Sequence, residues 1–121
     1  MTLSLRRCLM LLLVLPALLS AASGSQQVKR EFTVDARKYS FQPARIEVEQ
    51  GDVVRITLIA ADIPHSFTID NYRIAKRGEP GKPVSFEFLA DRAGTFKYYC
   101  NLTIDDGCRK MAGEFVVVKR H

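Results

Sequence analysis

The chain has 121 residues and a formal net charge of +5, from 18 Lys and Arg against 13 Asp and Glu, with 47% hydrophobic residues, three cysteines and two histidines. This length suits a single domain with a modest core. Charges of both signs alternate without a basic stretch of five or more, which argues for a solvated surface and against a nucleic-acid binder.

Residues 1–24 read as a secretory signal peptide: Arg6-Arg7, an apolar run from Cys8 to Leu19, then the small residues "SAASGS". The run of about 12 residues is shorter than the roughly 20 needed to span a bilayer, so no stable membrane insertion is expected after cleavage. Every acidic residue lies after position 24, so loss of Arg6 and Arg7 takes the net charge from +5 to +3. Residues 25–121 then form the domain. Export implies a periplasmic or secreted location, where two free thiols do not normally persist unused.

After a short polar leader at 25–30, apolar residues recur with period two. "FTV" at 32–34 is a strand, followed by the turn-rich "DARKYSFQPA". "RIEVE" turns Ile46 and Val48 to one face, and "QGD" at 50–52 is a tight turn in which Gly51 supplies backbone freedom. "VVRITLIA" is apolar on both faces and reads as a central strand. "HSFTI" at 65–69 and "VSFEF" at 84–88 alternate, and residues 70–78 have room for a helical turn. "ADRAGTFKYYC" places Phe96, Tyr98 and Cys100 on one side, and "GEFVVVK" closes the chain. Short strands at this spacing predict an all-β Greek-key β-sandwich.

Beyond the leader, the imidazoles and sulfurs are His65, Cys100, Cys108, Met111 and His121. No Ser/His/Asp set and no paired carboxylates suggest an enzyme. Asp105-Asp106-Gly107 reads as a turn, and Asn101-Leu102-Thr103 matches the N-glycosylation pattern. One reading of Cys100 and Cys108 is a disulfide closing seven intervening residues, with the domain a metal-free interaction module. A thiol–disulfide enzyme lacks its usual C-x-x-C spacing and helix N-terminus.

"DIPHSFTI", followed by "ADRAGTFKYYC" and "GCRKMAGEFVV", resembles the cupredoxins, and "FQPARIEVEQGDVVRITL" is similar to that family's first strands. The likeness runs from about Phe32 to Val118 and is strongest to the copper-A type of cytochrome oxidase subunit II and nitrous-oxide reductase. It implies a cupredoxin-like sandwich. It also implies a copper site in which His65 is the upstream imidazole, Cys100 the thiolate and Met111 the weak axial ligand. The copper-A pattern has a second cysteine four residues after the first and a histidine eight after. Ile104 and Cys108 occupy those positions here. The bridging cysteine of a dinuclear centre is therefore missing, and a thiol replaces the second imidazole of blue copper.

What the resemblance leaves is one copper held by His65, Cys100, Cys108 and Met111, a soft donor set that favours Cu(I). Zn²⁺ accepts His and Cys, but methionine suits it poorly. The implied role is one-electron transfer or copper handling with a redox or copper-trafficking protein partner. Ile63, Pro64, Leu102 and Ile104 would form an apolar rim, with Arg109 and Lys110 steering an acidic partner. The disulfide and copper readings are compatible, the pair being oxidised without metal and reduced with it.

Overall fold

The computed structural model describes residues 14–17 and 27–120. The signal-peptide reading of residues 1–24 falls almost entirely outside the described residues, as does His121. Residues 14–17 are exposed and form no regular element.

Two sheets face one another. The first contains β1 (Lys29–Arg37), β2 (Ser40–Gln42), β4 (Val53–Ala60) and β7 (Val84–Leu89), in the order β2-β1-β4-β7. The second contains β3 (Arg45–Glu49), β5 (His65–Ile69), β6 (Ile74–Gly78), β8 (Gly94–Tyr99) and β9 (Ala112–Val118), in the order β3-β9-β8-β5-β6. The chain leaves the first sheet for β3 and returns for β4. That excursion makes β1–β4 and β3–β9 parallel pairs, whereas the other ladders are antiparallel. Among the described residues the only α-helix is α1 (Asp106–Lys110). The sandwich expected from the strand pattern is present.

Period-two residues build the core because alternate side chains of a strand leave the same face. Ile46 and Val48 are buried from β3, and Val54, Ile56, Leu58 and Ala60 from β4. The opposite face of β4 is half-buried rather than solvated, as expected for an interior strand. Tyr98 stacks on Phe67 with centroids 4.8 Å apart and meets Phe41 edge-on at 5.3 Å, while its hydroxyl donates to the Pro43 carbonyl at 2.7 Å. Burying such a ring stabilises by roughly 1.5–3 kcal/mol, and the hydrogen bond removes the cost of the buried hydroxyl. Tyr98 also dictates its neighbour: a Cβ at position 113 would collide with the Tyr98 ring, so β9 carries Gly113 there. Gly51 has φ +94° in the 50–52 turn, the conformation for which glycine suits the position.

Three segments differ from the sequence reading. β1 extends from Lys29 to Arg37, and the turn-rich stretch also contains β2. Residues 70–72 do form a 3₁₀ turn, but residues 74–78 are an edge strand paired with β5. β5 does not alternate in burial, since all five of its residues are buried. Its polar residues Ser66 and Thr68 bond one another at 3.2 Å, and Ser66 Oγ accepts the N–H of Asn101 at 2.7 Å. The chain leaving Cys100 therefore meets the face that alternation assigns to water.

Candidate metal centre

β5 begins at one pole of the sandwich, and β8 ends there. Cys100 follows β8, Cys108 lies in α1, and Met111 caps α1 before β9 begins. All four residues implied as ligands are essentially inaccessible: His65 0%, Cys100 1%, Cys108 2% and Met111 1%. Cys100 and Cys108 are joined as a disulfide with Cα atoms 5.2 Å apart.

Backbone contacts tie the four positions together. The N–H of Ser66, next to His65, donates to Cys100 Sγ at 3.3 Å. The Cys100 N–H donates to the Met111 carbonyl at 3.4 Å, and the Met111 N–H to the Cys108 carbonyl at 3.1 Å.

The segment read as an Asp-Asp-Gly turn opens a short helix instead. Asp105 is its N-cap, and its Oδ1 accepts the Cys108 N–H at 3.0 Å, satisfying a donor that the helix start would otherwise strand. Its Oδ2 accepts the Tyr39 hydroxyl at 3.0 Å. The Tyr39 ring lies where a Cβ at Gly107 would have to sit. The Cys108 N–H, set against some burial, draws the Asp105 carboxyl below its ordinary range, helped by the Tyr39 hydroxyl and the Gly107 N–H. Cys108 thus lies in the first turn of a helix, contrary to the sequence expectation, but the helix has only five residues.

His65 carries the most telling geometry. Its Nε2 lies 2.8 Å from Asp62 Oδ1, whereas its Nδ1 is buried with no hydrogen-bond partner among the described residues. An unsatisfied buried polar atom costs on the order of 1–3 kcal/mol, and native structures contain few of them. Asp62 is itself held firmly. Burial would raise its carboxyl, but the N–H of Lys38, the His65 ring and the N–H of Ile63 prevail and bring it to about 2.

The family model for a cupredoxin-like domain matches residues 8–117. The chain belongs to the cupredoxin-like family. Subunit 2 of cytochrome c oxidase from Thermus thermophilus is 28% identical over 79 residues, covering 65% of this cupredoxin-like chain and 58% of that protein. The chain therefore spans little more than half of that relative. Among solved structures, the periplasmic domain of oxidase subunit II (CoxB) of Bradyrhizobium japonicum superposes with a TM-score of 0.66 at 16% identity, covering 74% of this chain and 83% of that one. The metal-binding domain of the Cu(I)-exporting P-type ATPase CopA of Streptococcus pneumoniae, solved with Cu(I), gives 0.62 at 17% identity over 77% and 89%. These likenesses establish the fold that the sequence pattern implies.

Within this cupredoxin-like domain the donor chemistry fits copper conditionally. A bare imidazole nitrogen and a buried thioether are in place, but the two cysteine sulfurs are bonded to one another. Among the described residues, no group of three or more His, Cys, Asp or Glu is arranged to hold a metal. Ligation of a metal by either cysteine would first require reduction of that disulfide.

The rim is as expected in part: Ile104 is 54% exposed, while Ile63, Pro64 and Leu102 are half-buried. Arg109 and Lys110, in α1, are exposed. Asp62 and Tyr39 were not singled out from sequence. Asp62 precedes His65 by three residues, a visible signal, whereas Tyr39 lies 66 residues from its partner Asp105 and left none. Among the described residues no helix is long and apolar enough to cross a membrane.

Proposed function

We propose that the chain is an exported copper protein of the periplasm, acting in one-electron transfer or copper handling through His65, Cys100, Cys108 and Met111. The observation that carries this reading is the buried, unpartnered Nδ1 of His65 at the same pole as Cys100, Cys108 and Met111. The family supports it, and the Streptococcus pneumoniae domain uses the same fold with Cu(I).

In this reading the disulfide is the resting, metal-free form. A partner dithiol of the thioredoxin class gives it two electrons and two protons, yielding two thiols here and a disulfide on the partner. The freed thiols lose their protons as they become ligands. Bound copper would supply one-electron exchange, with two thiolates and a thioether favouring the cuprous state. Burial of all four side chains keeps water from the donors, and four protein donors leave no position for a substrate, so the role is not enzymatic. The exposed Ile104, with Arg109 and Lys110 of α1, is the face offered to a redox or copper-trafficking partner.

The alternative, a metal-free interaction module stapled by the disulfide, draws on the bond itself. A competition titration of the reduced full chain with a Cu(I) chelator separates the two. Copper handling predicts one Cu(I) per chain, bound at least tenfold more weakly by Cys108→Ser because a hydroxyl is a hard, poor ligand for it. Cys108→His should give a Cu(II) form with the single strong visible band of blue copper. If the reduced wild type binds no Cu(I), the copper reading fails and the stapled module takes its place.

A further inference from the structure

We infer that Asp62 is a positioning residue for the metal centre: it fixes the His65 imidazole as the Nε2–H tautomer, so that Nδ1 is presented as the donor. This rests on the copper reading above. Three contacts meet at one carboxylate. Asp62 Oδ2 accepts the N–H of Lys38 at 2.7 Å, from the turn between β1 and β2. Asp62 Oδ1 accepts the N–H of Ile63 at 2.7 Å and lies 2.8 Å from His65 Nε2. Backbone donors on both oxygens orient the group as an acceptor, so the ring nitrogen facing it must donate.

A neutral imidazole has a single N–H. With that proton on Nε2, the buried Nδ1 keeps a bare lone pair, and no donor among the described residues reaches it. The other tautomer would set two lone pairs against each other at Asp62 and bury an N–H with no acceptor. Geometry therefore selects the form in which Nδ1 is ready for an electrophile. The carboxylate is also asymmetrically placed: the Asp62 side chain is 32% exposed while the ring is fully buried. The ring is thus steered from the rim of the pole, through a residue that need not touch the metal.

The tautomer is directly measurable. Two-bond ¹⁵N–¹H correlation spectra of the full chain, ¹⁵N-labelled at histidine and with the cysteines oxidised, report which nitrogen carries the proton. The spectra are recorded at about pH 8, and His121→Ala assigns the second ring. Wild type should show His65 protonated on Nε2 alone. Asp62→Ala should give a mixture of tautomers, and the reduced variant should bind Cu(I) about tenfold or more weakly, the usual scale for an outer ligand partner. Asp62→Asn, whose amide oxygen still accepts, should restore the Nε2–H form and most of the affinity; it also serves if Asp62→Ala does not fold.

A wild-type His65 protonated on Nδ1, or an Asp62→Ala spectrum identical to wild type, overturns the inference. So does a shifted tautomer with undiminished Cu(I) affinity. A wild type that holds the Nε2–H form yet binds no copper overturns the metal role of Asp62 together with the copper reading, and leaves only the tautomer assignment standing. The spectra and the titration therefore fail separately.

Discussion

The two poles of the sandwich each bury an ionisable side chain completely, and they treat it in opposite ways. At the pole away from the cysteines, Asp52 is 0% exposed. Its Oδ2 accepts the Glu49 N–H at 2.9 Å and lies 3.4 Å from Arg30 Nε, while its Oδ1 lies 3.4 Å from Arg120 Nη2. Both oxygens are occupied, and its own carbonyl accepts the Ala90 N–H at 2.9 Å. His65 is equally buried but satisfied on one nitrogen only. A carboxylate whose partners are complete ties loops together. An imidazole with one side left open is a structural expense that a ligand would recover.

The largest expected effect removes the bond that closes the ligand pole. Reducing Cys100–Cys108 without metal should lower unfolding free energy by roughly 2–3 kcal/mol, the loop-closure value for a ring this small. Denaturant titrations with and without reductant measure it. An unchanged midpoint would show that the pole is held by packing alone.

Asp52→Ala should follow at about 2 kcal/mol, since the Glu49 N–H loses its acceptor and two arginines lose their common partner. The half-exposed guanidinium groups can rehydrate, which keeps the figure below that of a sealed ion pair. In contrast, His65→Leu in the oxidised protein should stay within about 1 kcal/mol of wild type, because losing the Nε2 contact to Asp62 is offset by deleting the unsatisfied Nδ1. If the histidine substitution proves the more destabilising, the contrast between a saturated and an open pole is wrong.

The smallest effect concerns acid. The folded carboxyl of Asp62 lies near 2 against an ordinary 3.8. A depressed carboxylate stabilises fully above its unfolded value, and that contribution disappears as pH falls through the folded one. The stability gap between wild type and Asp62→Asn should therefore be constant above about pH 5 and shrink progressively between about pH 5 and about pH 1. A gap unchanged at about pH 1 would contradict the assigned hydrogen bonds.

Much of this architecture was legible from alternation, because a strand with one dry face must write that face at every second residue. Ile46 and Val48, or Val84, Phe86 and Phe88, needed no other signal. Alternation fails where loops cover a sheet. Ser66 and Thr68 look solvated by sequence, yet both are buried, and the Asn101 N–H beyond Cys100 bonds Ser66. Helix α1 escaped because five residues are too few for a 3.6-residue period to show, although Asp105 carried the N-cap signal. The family resemblance picked out His65, Cys100, Cys108 and Met111, and the fold gathers them at one pole. Asp62 and Tyr39, which meet His65 and Asp105, come from separate loops, and only the folded chain brings them to this pole.

Tyr39 has a consequence for engineering. Its hydroxyl holds Asp105, and its ring fills the space beside Gly107, so the turn carrying Cys108 takes its shape from a hairpin 66 residues earlier in the chain. The segment from Cys100 to Met111 is therefore not a self-contained cassette. Grafted onto another β-sandwich without an aromatic hydroxyl at the matching hairpin, it would carry its sulfur atoms but leave behind the brace that aims them.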